Sequence, residues 1–454
     1  METRRLNRRG FLRLSAGLVC SATAATLLAA CQPGGPSGGG KTESTTAPVK
    51  APAEKMRIVC WDVGKGWGDP VQRALVAEFN ETHPDIEVQL DPGFAGIEWQ
   101  AGLQKLRVAL DNQSGPDFTG GIPVGASLEA AVASNQVLDL GEAYRQYGWD
   151  KKIAASLVDT CRIQGHVYAV PANVETVGVF YNIDLYNKVG IGVPKTFDDF
   201  LAGLETLKKA GYYGYAIGLA GGWPSAFMAS EFMYLSAGKE YADVLSGKRK
   251  WTGSERCLNG MKVYHSLVAN GYTNPEVLGI NQNQANDLFF QGKTAGTLQT
   301  SAWLRNVWDA KPDFKVGFYF LPKIDPASDI MCLGGVAGCT IVARYTKHKE
   351  AAFRFIDYLL TEKVALKVLK EGTSIEPIEF SIPDDIDPLL KQVATETVNN
   401  VGSVGPYPVT YLAPQVFNQL NAYIQGMMGG KLTPEQVMQE MQKAYEKYLQ
   451  EKSG

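Results

Sequence analysis

Histidine is scarce in this chain. The four residues, His83, His166, His265 and His348, are scattered through 454 positions, none in an HExxH helix or beside a cysteine pair. That excludes the common nitrogen-ligated catalytic metals. No run of five basic residues occurs, and 44 Lys and Arg face 47 Asp and Glu, so a nucleic-acid surface has no electrostatic footprint. No GxSxG elbow follows a strand. The only segment approaching a membrane span in length and apolar character is N-terminal, which excludes a polytopic membrane protein. What remains is ordinary globular composition, 45% hydrophobic and 20% charged with a net charge of −3, in a length that holds two or three domains.

The N-terminus reads as an address. Arg4, Arg5, Arg8, Arg9 and Arg13 precede the uncharged Leu14–Ala30, and Arg8-Arg9-Gly10-Phe11-Leu12-Arg13 resembles a twin-arginine export signal. Leu28-Ala29-Ala30-Cys31 resembles a bacterial lipobox, which makes the Cys31 thiol the expected lipid attachment point. A tether follows over Gln32–Lys55, rich in Gly, Pro, Ser and Thr. Within it Gly35–Thr42 matches the phosphate-loop pattern letter for letter, but no strand precedes it, so it is read as linker. Removing Cys31 and the cleaved Cys20 leaves Cys60, Cys161, Cys257, Cys332 and Cys339, an odd set without metal-ligand spacing. They are read as small buried apolar residues, with a Cys332–Cys339 bridge as the alternative.

From Met56 strands alternate with helices, the pattern of an α/β fold with mainly parallel sheets. Arg57–Trp61 and Ile86–Leu90 read as strands. Helices are expected from Asp69, from Ile97 to Ala109, over Thr196–Lys209 and Glu350–Leu360, and after the capping box Thr433-Pro434-Glu435-Gln436. Gly64-Lys65-Gly66-Trp67-Gly68 approaches a dinucleotide fingerprint, but its third glycine is displaced and Asp69 would repel a pyrophosphate at the helix start, so no cofactor is expected. The loop instead presents Trp61, Asp62, Lys65 and Trp67 at the carboxyl end of a strand, where open α/β sheets bind ligands.

Several stretches, in order, resemble one family. They are Phe79–Val88, Ser114–Asp117, Gly165–Pro171 through Phe180–Asn182, Pro194–Phe197, Phe290–Ala295 with Ser301–Trp303, and Lys347–Leu360. The mature chain is similar to the extracellular solute-binding proteins of ABC importers, in the sugar-binding group that includes maltose-binding protein. The resemblance implies a type II periplasmic-binding-protein-like fold, two α/β lobes joined by a multi-segment hinge. Residues 56–175 with 320–375 would form the first lobe and 176–319 with 376–454 the second. Crossings are expected near Ala172–Val179, Val316–Pro322 and Ser374–Ile382.

It also implies a non-catalytic receptor that closes on a mono- or oligosaccharide and hands it to the importer's permease subunits. That receptor would be a monomer held to the outer face of the membrane by its lipid alone, without nucleic acid or cofactor. By position the resemblance assigns ligand contact to Glu175, Trp223 and Trp303. It adds the first loop (Trp61, Asp62, Lys65, Trp67), the close-approach glycines Gly334 and Gly335, and the late aromatics Tyr407 and Tyr411. Thr119–Pro123 lacks the Trp and Asp that maltose-binding protein places there, which argues against maltodextrin as the ligand. The alternatives are a polyol phosphate, polyamine or peptide on the same scaffold, or an exported carbohydrate-active enzyme.

Overall fold

A computed structural model of the protein describes residues 55–61, 69–91 and 99–453. The export-like segment, Cys31, the tether up to Glu54 and the loop carrying Asp62, Lys65 and Trp67 lie outside them. Eleven strands are described: β1 (Met56–Cys60), β2 (Ile86–Leu90), β3 (Phe118–Ile122), β4 (Arg162–Ile163), β5 (His166–Val167), β6 (Val170–Asn182), β7 (Tyr213–Ala216), β8 (Thr294–Thr300), β9 (Val316–Tyr319), β10 (Cys332–Val342) and β11 (Val404–Gly405). Apart from the β4–β5 pair they form one sheet in the order β2-β1-β3-β10-β6-β8-β7, with β11 on β10 and β9 on β6.

Local sequence explains the elements. β1 buries Ile58 and Cys60 in alternation and leaves Arg57 out. The helix Asp69–Thr82 carries Val71, Leu75 and Phe79 inward, and Phe79 meets Phe355 edge-on at 4.8 Å. Phe197–Lys209 starts on a full capping box, in which Thr196 Oγ1 accepts from Asp199 N and the Asp199 carboxylate accepts from Thr196 N. The expected box at Thr433 is also present, with Gln436 as its partner, and opens Pro434–Ser453.

The sheet is mixed, which corrects the expectation of mainly parallel sheets. β1 runs parallel to β2 and β3, and β7 to β8, as helical crossovers require. The two longest strands do otherwise. β10 is antiparallel to β3 and β6, and β6 is antiparallel to β8 and β9. Both strands pass between cores instead of returning through a helix, so the parallel rule does not bind them.

Three apolar clusters surround these long strands. One holds Ile58, Phe79, Phe118, Trp149, Val170, Val336 and Phe355. A second holds Val177, Phe200, Met233, Tyr264, Leu333, Leu420 and Met441. A third, around Phe180, Trp303, Phe318, Ile375 and Val393, packs on the middle of β6. β6 changes partner between Thr176 and Val177: up to Thr176 it pairs with β10, from Val177 with β8. β10 passes from the second cluster at Leu333 to the first at Val336. β9 pairs with β6, and the apolar residues of β9 and of Phe320–Leu321 lie in the second and third clusters. Ile375 bridges to Val174, its carbonyl accepting from Val174 N at 2.9 Å.

Candidate functional site

The middle of β6 carries three buried polar side chains, Asn173, Glu175 and Thr176. Glu175 lies where β6 changes partner, opposite Gly335, with Thr176 opposite Gly334. A Cβ at Gly334 would collide with the Glu175 carbonyl oxygen, and Gly335 holds φ at +108°. Both positions therefore require glycine. The Thr176 hydroxyl shares a 2.7 Å hydrogen bond with that of Thr397, and its N–H donates to Ser301 Oγ at 3.3 Å.

The Glu175 side chain is 6% exposed. Its Oε1 accepts from Asn173 Nδ2 at 3.0 Å, and the Thr300 hydroxyl stands close enough to favour the ionised form. Burial pushes its carboxyl up to about 7, against these stabilising donors. The Tyr407 hydroxyl approaches closely enough to favour the ionised form without the alignment of a hydrogen bond. The Tyr407 ring stacks on Phe227 at 5.9 Å.

A second buried carboxylate stands on the other side of the β10 entry. Glu231 is fully buried, and its Oε2 accepts from Leu333 N at 2.5 Å while Oε1 has no partner. Burial raises its carboxyl to about 8. Neither carboxylate draws on a described Lys or Arg, and the negative charge of both lifts the Tyr407 phenol further above its usual range. Leu333-Gly334-Gly335 is thus held between two acids with Tyr407 beside both. Glu231 was not picked out from sequence. Its signal was there: it is the one charged residue in the helix Trp223–Ala237, which is apolar on every side.

The expected residues separate into groups. Glu175, Gly334, Gly335 and Tyr407 come together. Tyr411 ends the short helix Pro408–Tyr411, half-buried against the second cluster. Trp303 follows Thr300 and Ser301, but its indole packs in the third cluster, with Phe290 stacked at 5.2 Å and 8° and Phe180 edge-on at 5.1 Å. Trp61 is buried in the first cluster with Lys105 Nζ 4.8 Å above its ring. Trp223 opens its helix after Gly222, and its side chain lies outside the described part, as do Asp62, Lys65 and Trp67. Among the described residues no group of three His, Cys, Asp or Glu is set to hold a metal, and no helix is long and apolar enough to cross a membrane.

A second contact joins the sides of the first and second clusters. Gly125, at φ +73° before the helix Ala126–Ala133, lies directly against the backbone of Thr410, so that a Cβ there would overlap the Thr410 carbonyl. The first cluster's side therefore touches the second's beyond the crossing strands. The chain superposes on a chitin oligosaccharide binding protein with a TM-score of 0.76 at 22% identity, covering 87% of this chain and 98% of that one. The fold is that of the type II periplasmic binding proteins.

Two curated relatives extend the likeness. The melibiose/raffinose/stachyose-binding protein MelE of Bacillus subtilis is 24% identical over 391 residues, 84% of this chain and 87% of that one. A maltooligosaccharide ABC transporter solute-binding lipoprotein of Streptococcus pneumoniae is 25% identical over 412 residues, 88% of each. The family model described as bacterial extracellular solute-binding protein matches residues 64–366, a span that takes in β6, Glu175, Glu231 and the β10 glycines. With this fold, this site and that match, the chain belongs to the bacterial extracellular solute-binding proteins.

Proposed function

We propose that this protein is a lipid-anchored, non-enzymatic receptor that captures a mono- or oligosaccharide by lobe closure and delivers it to an ABC importer. The observation that carries the reading is Glu175. A carboxylate held between donors, where the two halves of the sheet exchange strands, is a ready acceptor for sugar hydroxyls, and charge-assisted bonds of that kind are the strong ones. Aromatic rings supply the apolar faces a pyranose needs, and Tyr407 stands beside Glu175. The sugars printed in the relatives' names support the class.

In this reading the first and second clusters are the cores of the two lobes. The thin, glycine-bearing entry of β10 and the partner change in β6 form the hinge. Closure is driven by contacts present only in the closed state, and the Gly125–Thr410 approach is one of them. Arg8-Arg9 would direct export of the folded chain, Cys31 would be acylated, and the tether would lift the receptor off the membrane as a monomer. Trp61, Asp62, Lys65, Trp67, Trp223, Trp303 and Tyr411 stay as candidate ligand contacts alongside the site around Glu175.

A thermal-shift screen of the mature chain tests the class, using melibiose, raffinose, maltooligosaccharides, chitin oligosaccharides, a polyol phosphate, a polyamine and a peptide pool. A saccharide at a hundred times its Kd should stabilise by about 2.7 kcal/mol. Recovery of that saccharide unchanged supports a receptor over an enzyme. Stabilisation by a non-sugar alone refutes the sugar assignment.

A further inference from the structure

The five described cysteines are buried free thiols, so the alternative of a Cys332–Cys339 bridge is not made. A polar cleft elsewhere has no part in the site around Glu175. It measures about 280 Å³ and lies past the far end of β10, where the helices Trp99–Asp111 and Ala126–Ala133 finish. Arg344 and Tyr345, just after β10, line it. Nine positions separate Arg344 from Gly335, about 30 Å of extended chain. The two helices end in the same turn. Ser114 N donates to Ala109 O at 3.0 Å and Gln113 N to Leu110 O at 3.1 Å; Gln136 N donates to Ala131 O at 3.0 Å and Asn135 N to Val132 O at 2.9 Å. That turn places one residue in the left-handed region, usually Gly. Here the positions hold Gln113 at φ +53° and Asn135 at φ +59°, and both line the cleft. Glutamine is disfavoured there, and what it adds over glycine is an amide on the cleft wall. Gln136 lines the cleft although it is only 8% exposed. Its Nε2 donates to Asp111 Oδ1, and its backbone carbonyl accepts from Arg344 N at 2.8 Å, which ties the three segments together. The Tyr345 hydroxyl donates to Pro116 O at 2.8 Å and so fixes the ring.

We infer that this cleft is a weak second saccharide site. Charge decides against the other small solutes. An anion would meet the Asp111 carboxylate and the negative ends of two helices, neither of which has a basic residue in its last turn. A polyamine would meet the exposed Arg344 guanidinium. A neutral sugar suits both. Its hydroxyls donate to Asp111 and to the Gln136 amide oxygen, accept from Arg344, and make bonds of either kind with the amides of Gln113 and Asn135. Tyr345 supplies an aromatic ring for the apolar C–H face. With Asp111, Asn135 and Arg344 exposed, the cleft covers one side of a sugar ring, so affinity on the order of millimolar is expected. At that strength it fills only when saccharide is abundant. Nothing in it depends on Glu175 binding a sugar.

Hydrogen–deuterium exchange of the mature chain, read by mass spectrometry of its peptides, locates binding by segment. Raffinose, maltotriose and diacetylchitobiose are each supplied at about 50 mM, with phosphate and spermidine as charged comparisons. At least one saccharide should slow exchange about threefold or more in residues 110–115, 134–138 and 343–346, where the turn amides lie, and neither ion should. Arg344→Ala removes a donor, and Ser134→Trp fills the cleft from an exposed position. Each should abolish that slowing, with melting curves confirming that the variants fold. No slowing of these segments by any saccharide, slowing by phosphate or spermidine instead, or slowing that survives both variants overturns the site. Residues 173–177 and 331–336 report on the site around Glu175 in the same data, so failure there and failure here are read separately.

Discussion

Replacing Glu231 by Gln should remove most of the protein's alkaline instability. The wild-type carboxyl is raised to about 8 by burial, above the ordinary value of a glutamate in the unfolded chain. A raised carboxyl binds its proton more tightly folded than unfolded. Its contribution is therefore complete at low pH and is lost as pH rises through the folded value, the reverse of a salt-bridged acid. Between pH 6 and 9 the unfolded carboxyl is ionised throughout while the folded one goes from protonated to ionised, a loss of roughly 3 kcal/mol. Glu175, raised to about 7, adds roughly 1 kcal/mol over the same interval. Gln keeps the shape, and its carbonyl can still accept from Leu333 N. Thermal melts in ligand-free buffer at pH 6, 7, 8 and 9 give the assay. Wild type should lose about 5 °C over that range, and Glu231→Gln about a quarter of it. Equal slopes in the two proteins would refute the reasoning, because the titration would then belong to another group.

Three further outcomes follow. Gly125→Ala puts a Cβ into the Thr410 carbonyl at a left-handed backbone position, so it should oppose closure and weaken saccharide binding about tenfold. Gly165→Ala is equally strained but has open space around it, and should leave affinity unchanged in the same titration. Trp303→Ala should cost about 3–5 kcal/mol in urea denaturation, because the indole packs on Phe180 and Phe290. Cys31→Ser should release the chain from membranes on fractionation and abolish incorporation of labelled fatty acid.

Much of the fold was legible where a local rule governs it. A short apolar run marked β1, and capping residues marked the helix starts at Thr196 and Thr433. What depends on non-local pairing was not legible. Strand alternation implied parallel sheets, yet β6 and β10 are long enough to serve two cores and so run antiparallel. Trp303 follows the motif of a stacking platform, but a motif cannot say that Phe290, on another element, covers one face of its indole. Glu231 was passed over because a lone acid looks incidental until its helix is recognised as buried all round.

The central claim, reversible capture of a sugar through Glu175, meets its most direct test in isothermal titration calorimetry of wild type and Glu175→Gln with the saccharide that gives the largest thermal shift. Loss of one charge-assisted hydrogen bond should weaken binding about 10–100-fold at unchanged one-to-one stoichiometry. Equal affinities for the two proteins, or no heat from any saccharide, would contradict the account.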